Sequence, residues 1–196
     1  MSKRIDFISP DEFSKLLKAN KDKDLEVAMI LGFGSGLRIS EIIGYERAFK
    51  QKKNKETGEI IKIPDDSKIP PLTKDKINLE KRQIRLDEAK GGKWRVAPTS
   101  PALKPKHLER LPIRIKRRTL QNKFYRLSEK VLNKKISFHI LRHGFGNFCV
   151  NVLKLPMPMV QSYMGHSSIS TTGLYTKANP EEAINKYWEA MGFDDK

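Results

Sequence analysis

Leu25 to Phe33 is apolar nearly all the way round a helical projection, and a helix with no polar face has to be buried. That segment sets the expectation of a mainly helical core. Ahead of it, Ser9-Pro10-Asp11-Glu12 has the pattern of a helix start: Ser9 caps, Pro10 suits the first helical position, and Glu12 completes a capping box. The apolar run ends in Gly-Phe-Gly-Ser-Gly. Gly32, Gly34 and Gly36 fit neither G-x-G-x-x-G nor a Walker loop. A tight turn between helices, presenting Arg38 at the start of the next one, explains them.

Residues 50–75 form a basic, turn-rich insertion in which Thr57-Gly58 suggests a small hairpin. The runs I-N-L-E, Q-I-R-L-D and W-R-V-A-P then predict a small antiparallel sheet, with Lys90 to Lys93 at the last turn. Four prolines between Pro98 and Pro112 predict an extended linker with at most a short helix. Helical spacing returns from Arg117, where Leu120, Phe124, Leu127 and Val131 share a face. After Ser137 a further helix is expected to bury Phe138, Leu141, Phe145, Phe148 and Val152. Shorter helices near Met159–Met164 and Ile169–Tyr175 precede a last amphipathic helix over residues 179–192, with Tyr187 and Trp188 on its apolar face and Gly192 as its stop. The expected class is mainly α with a small antiparallel β-sheet (α+β).

Charge narrows the function. Thirty-nine Lys and Arg against 23 Asp and Glu leave a formal net charge of +16, the electrostatic footprint of a nucleic-acid binder. Ribosomal and membrane-surface proteins share that footprint. The single cysteine, Cys149, excludes an intrachain disulfide framework and reads as a small core residue. No stretch is long and apolar enough to span a membrane, and the N-terminus lacks a signal-peptide core, so a cytoplasmic protein is expected.

Several residues are suited to one phosphodiester. Arg38 lies in G-L-R-I-S-E, and Arg142 lies in H-I-L-R-H; a guanidinium fork binds phosphate oxygens in pairs. His139 stands three residues before Arg142, on the same helical face. His166 follows Gly165, and Tyr175 comes nine residues later. A tyrosine with a pKa near 10 is about one part in a thousand ionised at neutral pH, and neighbouring cations favour its phenolate. Each residue has a plainer reading: Arg38 and Glu41 as a surface ion pair, Lys90 and Lys93 as solvated lysines, Tyr175 as a core aromatic. His139 and His143 have the spacing of a metal pair, but Ile140 stands where the zincin pattern needs Glu, so no metal site or cofactor is expected.

Taken together, these motifs resemble the catalytic domain of the tyrosine recombinases, the lambda-integrase and Xer-type family. G-L-R-I-S-E-I-I is similar to its first arginine motif, K-G-G-K-W-R-V-A-P to its lysine-bearing hairpin, H-I-L-R-H-G-F to its His-x-x-Arg-His box, and L-Y-T-K after G-H-S-S-I-S-T-T to its nucleophile segment. The resemblance runs from about Ile8 to Trp188. It implies a tyrosine-recombinase catalytic-domain fold and a site-specific recombinase that cleaves and rejoins DNA without metal or ATP.

In that scheme Tyr175 attacks the scissile phosphate and forms a 3′-phosphotyrosyl bond. Arg38, His139, Arg142 and His166 stabilise the transition state, and Lys90 protonates the leaving 5′-oxygen. Glu41 orients Arg38, and His143 buttresses its helix. Double-stranded DNA is the implied partner, with Lys93, Arg95, Arg117, Arg118 and Lys123 as expected contacts. A homotetrameric synaptic complex that exchanges the C-terminal helix is also implied. No counterpart of the family's N-terminal core-binding domain is expected in residues 1–196, and residues 50–75 replace a compact family turn. Type IB topoisomerase chemistry, a catalytically idle DNA-binding protein and a metal nuclease are the competing readings.

Overall fold

The capping box forms as the spacing requires. In the computed structural model Ser9 N donates to Glu12 Oε2 at 3.0 Å and Glu12 N to Ser9 Oγ at 3.2 Å, opening α1 (Pro10–Ala19). Residues 7–46, 49–53, 58–64, 68–89, 93–165 and 180–192 are described by the structure. Helix α2 (Lys23–Gly34) is capped by Asp22, whose carboxylate accepts from Leu25 N at 3.0 Å, and it is buried from Val27 onwards. The glycines do not break it. Gly32 and Gly34 are helical, and their lack of a side chain admits close neighbours: a Cβ at Gly34 would lie 2.4 Å from Ser100 Cβ. The turn follows at Ser35–Leu37, leading into α3 (Ile39–Ile43).

The basic insertion is a ribbon. β1 (Tyr45–Glu46) pairs with β4 (Lys68–Ile69), and β2 (Phe49–Lys53) pairs with β3 (Ile60–Pro64), all antiparallel. Phe49, Ile60 and Ile61 are exposed on it. The expected small sheet follows, with strand order β5 (Ile77–Asn78), β6 (Gln83–Ala89), β7 (Lys93–Pro98) and a register shift between Leu86 and Ala89. The proline-rich stretch holds one helical turn, α4 (Pro105–Leu108), before α5 (Arg117–Leu132).

Helix α6 (His139–Asn147) departs from its expected pattern. It continues into a π-helical turn over Phe148–Val152, and the wider turn rotates the face away from helical spacing. Cys149 is therefore the buried residue there, Phe148 is half-buried, and Val152 is exposed. Helix α7 (Met157–Met164) matches the expected short helix; the one expected over Ile169–Tyr175 lies outside the described residues.

Two packed clusters share α6. The larger runs from Ile8 through Leu141 and includes the stacked rings of Phe13 and Phe33, with centroids 4.2 Å apart. The smaller joins Phe145, Cys149 and α7 to Ile184 and Tyr187 of α8 (Pro180–Ala190). Helix α8 thus docks on its own chain: Tyr187 is 1% exposed and its hydroxyl donates to Gly34 O at 3.0 Å. Arg82 lies over the Trp188 ring, 4.4 Å from its centroid. Tyr187→Phe keeps the ring but removes the hydrogen bond, and should lower the unfolding free energy by about 1–2 kcal/mol in urea titrations. An unchanged midpoint would show that this contact does not hold α8.

Candidate active site

Arg38 sits at the start of α3 because the chain leaves α2, turns, and re-enters a helix whose first turn carries Glu41. Arg38 N donates to Glu41 Oε2 at 2.7 Å and Arg38 Nη1 to Glu41 Oε1 at 2.8 Å. Main chain and side chain of Arg38 are thus fixed by one carboxylate, which is itself buried. Arg142, on α6, is 2% exposed; its Nη1 donates to Gly36 O at 2.5 Å and its Nη2 to Met164 O. Arg38 Nη2 reaches Gly165 O at 3.1 Å. The two guanidinium groups singled out in the sequence therefore meet beside the carboxyl end of α7.

A third joins them. Arg95, on β7, is buried, donates from Nη2 to Glu41 Oε2 at 2.6 Å and from Nη1 to Tyr163 O. This corrects the expectation that Arg95 contacts DNA: both terminal nitrogens are already occupied inside the protein. Strand alternation carried the signal, since Arg95 and the buried Ala97 share one face of β7 while Trp94 points to solvent. Charge alone concealed it. The Lys123 ammonium pairs with Asp22, the cap of α2. Arg117 and Arg118 are exposed at the start of α5.

Three cations around one carboxylate perturb one another. Burial would raise the Glu41 carboxyl, but Arg95, the Arg38 backbone N–H, Arg38 and Arg142 outweigh it and hold the group below the usual carboxylate range. Burial, then repulsion from Arg38 and Arg95, pushes Arg142 down to about 9, so it remains charged at neutral pH. Such a site has more positive charge than its protein anions neutralise, and its unmet attraction is for an oxyanion.

His139 is exposed at the opening of α6, one turn before Arg142, and its ring meets His143 edge-on with centroids 4.5 Å apart. Burial, then Arg142, lowers the His143 pKa, which keeps that imidazole neutral at pH 7. Among the described residues no group of three His, Cys, Asp or Glu side chains is placed to hold a metal ion. None of their helices is long and apolar enough to cross a membrane. Lys90, His166 and Tyr175 lie outside the described residues, as does the side chain of Lys93.

Comparison with solved structures identifies the architecture. The chain superimposes on the integrase from mycobacterium phage Brujita with a TM-score of 0.65 and 16% identity, covering 98% of this chain and 60% of that one. XerA recombinase gives 0.62 and 20%, covering 97% and 65%. The fold is that of a tyrosine recombinase or integrase catalytic domain.

Sequence relatives agree. The sequence model of the phage integrase family matches residues 107–182. Tyrosine recombinase XerC of Vibrio campbellii is 29% identical over 187 residues, covering 92% of this chain and 56% of the relative. Tyrosine recombinase XerA of Saccharolobus solfataricus is 33% identical over 132 residues, covering 61% and 43%. The chain is thus similar to tyrosine recombinases of the phage integrase family. It spans little more than half the length of the XerC relative.

Glu41→Gln leaves the buried guanidinium groups of Arg95 and Arg142, and the part-buried one of Arg38, without this counter-charge and should cost about 3 kcal/mol or more at pH 7. Because folding lowers the Glu41 pKa, its contribution is complete above the ordinary carboxylate value and disappears as pH falls through the lowered one. Urea unfolding of both proteins across acidic pH should show the stability gap closing in that window. A gap independent of pH would mean the loss is not electrostatic.

Proposed function

We propose that this chain carries the catalytic machinery of a site-specific DNA recombinase, acting through a 3′-phosphotyrosyl intermediate on Tyr175. The observation that carries the reading is the meeting of Arg38 and Arg142 at the carboxyl end of α7, where Gly165 O accepts from Arg38 and Met164 O from Arg142. Gly165 is followed directly by His166, and Tyr175 stands ten positions after Gly165. Ten residues extend at most about 35 Å, so the phenol is tethered to the cationic pocket at high effective concentration.

The chemistry then follows. The Tyr175 oxygen attacks phosphorus and gives up its proton, while the bond to the 5′-oxygen breaks and Lys90 protonates that oxygen, which leaves as a 5′-hydroxyl. Arg38 and Arg142 neutralise charge growing on the non-bridging oxygens, with hydrogen bonds from His139 and His166. A pocket already arranged for that charge spends little energy reorganising. A 5′-hydroxyl of the partner strand reverses the step, restoring a phosphodiester and releasing Tyr175. One phosphoester is exchanged for another at each stage, so neither ATP nor a metal is required.

Double-stranded DNA is the substrate, met in the cytoplasm, with Arg117 and Arg118 on its phosphates. Recombining two duplexes calls for four protomers. An exchange of α8 between protomers would have to release Tyr187 from Gly34 first.

Adduct trapping tests this reading. A pool of nicked suicide duplexes, randomised around the nick, should yield a denaturation-resistant protein–DNA species with the wild type. Tyr175→Phe should yield none while binding DNA within about twofold, since one hydroxyl outside the phosphate clamp is removed. An adduct of equal yield from Tyr175→Phe would refute the nucleophile. Separately, Arg117→Ala with Arg118→Ala should reduce the slope of log K against log salt by about 1–2. An unchanged slope would move the DNA path elsewhere.

A further inference from the structure

The mechanism above uses two of the three clustered guanidinium groups, Arg38 and Arg142, and leaves the third without a task. Tyr163, Met164 and Gly165 present three successive carbonyls at the end of α7, and each receives a different arginine: Arg95, Arg142 and Arg38 in that order. The last carbonyls of a helix have no partner within it and carry partial negative charge, so cations suit them. These arginines arrive from β7, α6 and the start of α3, and Arg95 and Arg38 also share Glu41.

Arg95 makes a further contact through its stem. Gly165 adopts a left-handed φ of +57°, and a Cβ added there would lie 2.6 Å from Arg95 Cδ and 2.9 Å from its Nε. The Arg95 side chain therefore forms the floor on which the exit from α7 rests.

We propose that Arg95 is a positioning residue for DNA strand cleavage, tying the carboxylate that orients Arg38 to the point where the nucleophile segment leaves α7. The proposal rests on the phosphotyrosine reading above. Arg95 does not reach phosphate; it sets the register between the pocket and the start of the attacking segment. An arginine is required because its planar fork serves two acceptors in different directions, whereas lysine offers one compact charge. Without the fork, Glu41 keeps only its bonds from Arg38, and the end of α7 loses both a donor and its floor. A misplacement of this kind lowers the rate of chemistry far more than it lowers affinity.

The test compares wild type and Arg95→Lys in the full chain. On the same nicked-duplex pool, adduct formation at saturating DNA should slow about tenfold or more, with half-saturation within about threefold. In the free protein, amide hydrogen exchange should accelerate at residues 163–165 and stay unchanged in α1, α2 and α5. A cleavage rate within twofold of wild type, or unaltered exchange at 163–165, overturns the proposal even if the variant melts earlier, because a merely structural arginine would give that result.

If Arg95→Lys does not fold, Gly165→Ala approaches the same contact from the other side. It should produce the same split between rate and affinity, and equal losses in both would count against the anchor. A wild type that forms no adduct, while Arg95→Lys still loosens 163–165, would sink the phosphotyrosine reading and leave the anchor standing. The two failures are therefore distinct.

Discussion

Packing three guanidinium groups around one carboxylate, two of them buried and that of Arg38 part-buried, is the constraint on which this side of the structure depends. A fully charged arginine is costly to remove from water unless its donors are met and its charge is compensated. Glu41 compensates one charge and is bonded by two of the arginines. Other terminal nitrogens donate to the carbonyls of Gly36, Tyr163, Met164 and Gly165, whose dipoles are weaker acceptors than a carboxylate, and Arg95 Nε is buried without a hydrogen-bond partner. Burial first, and then repulsion from Arg38 and Arg95, lowers the Arg142 pKa. The folded protein tolerates an electrostatic deficit at this place.

The surrounding helices make that deficit possible. Helix α2 has no polar face, so neighbours cover it, and its glycines allow Ser100 close to its last turn. The turn after it delivers the Gly36 carbonyl to Arg142 and the Arg38 main chain to Glu41. Helix α6 carries Leu141 into one cluster and Phe145 into the other, with Arg142 between them in sequence. Apolar packing on both sides thus holds a charged residue in place.

Local signals were legible in the sequence, and long-range ones were not. Ser9 and Glu12 announce α1 because a capping box is complete within four residues. The β6–β7 pairing was readable from alternation about a glycine turn. Gly32 and Gly34 looked like a turn because their reason for being glycine lies in Phe138 and Ser100, far along the chain. Val152 was assigned to the core because regular spacing cannot foresee a π-helical turn. At the site, Arg38 and Arg142 stood out through the residues beside them. Arg95 was obscured by the general excess of basic residues, although its neighbour Ala97 marked the inward face of the strand.

The seating of α8 has a consequence for biosynthesis. Among the described residues, the cluster from Ile8 to Leu141 contains none from the last quarter of the chain, so it can consolidate while translation continues. The second cluster cannot, because Ile184 and Tyr187 complete it and it includes Tyr163 and Met164, whose carbonyls the arginines need. The nascent protein therefore acquires a folded body before it acquires a finished pocket. Chains truncated by premature termination before residue 180 would carry the body alone, with an apolar trough where α8 should lie.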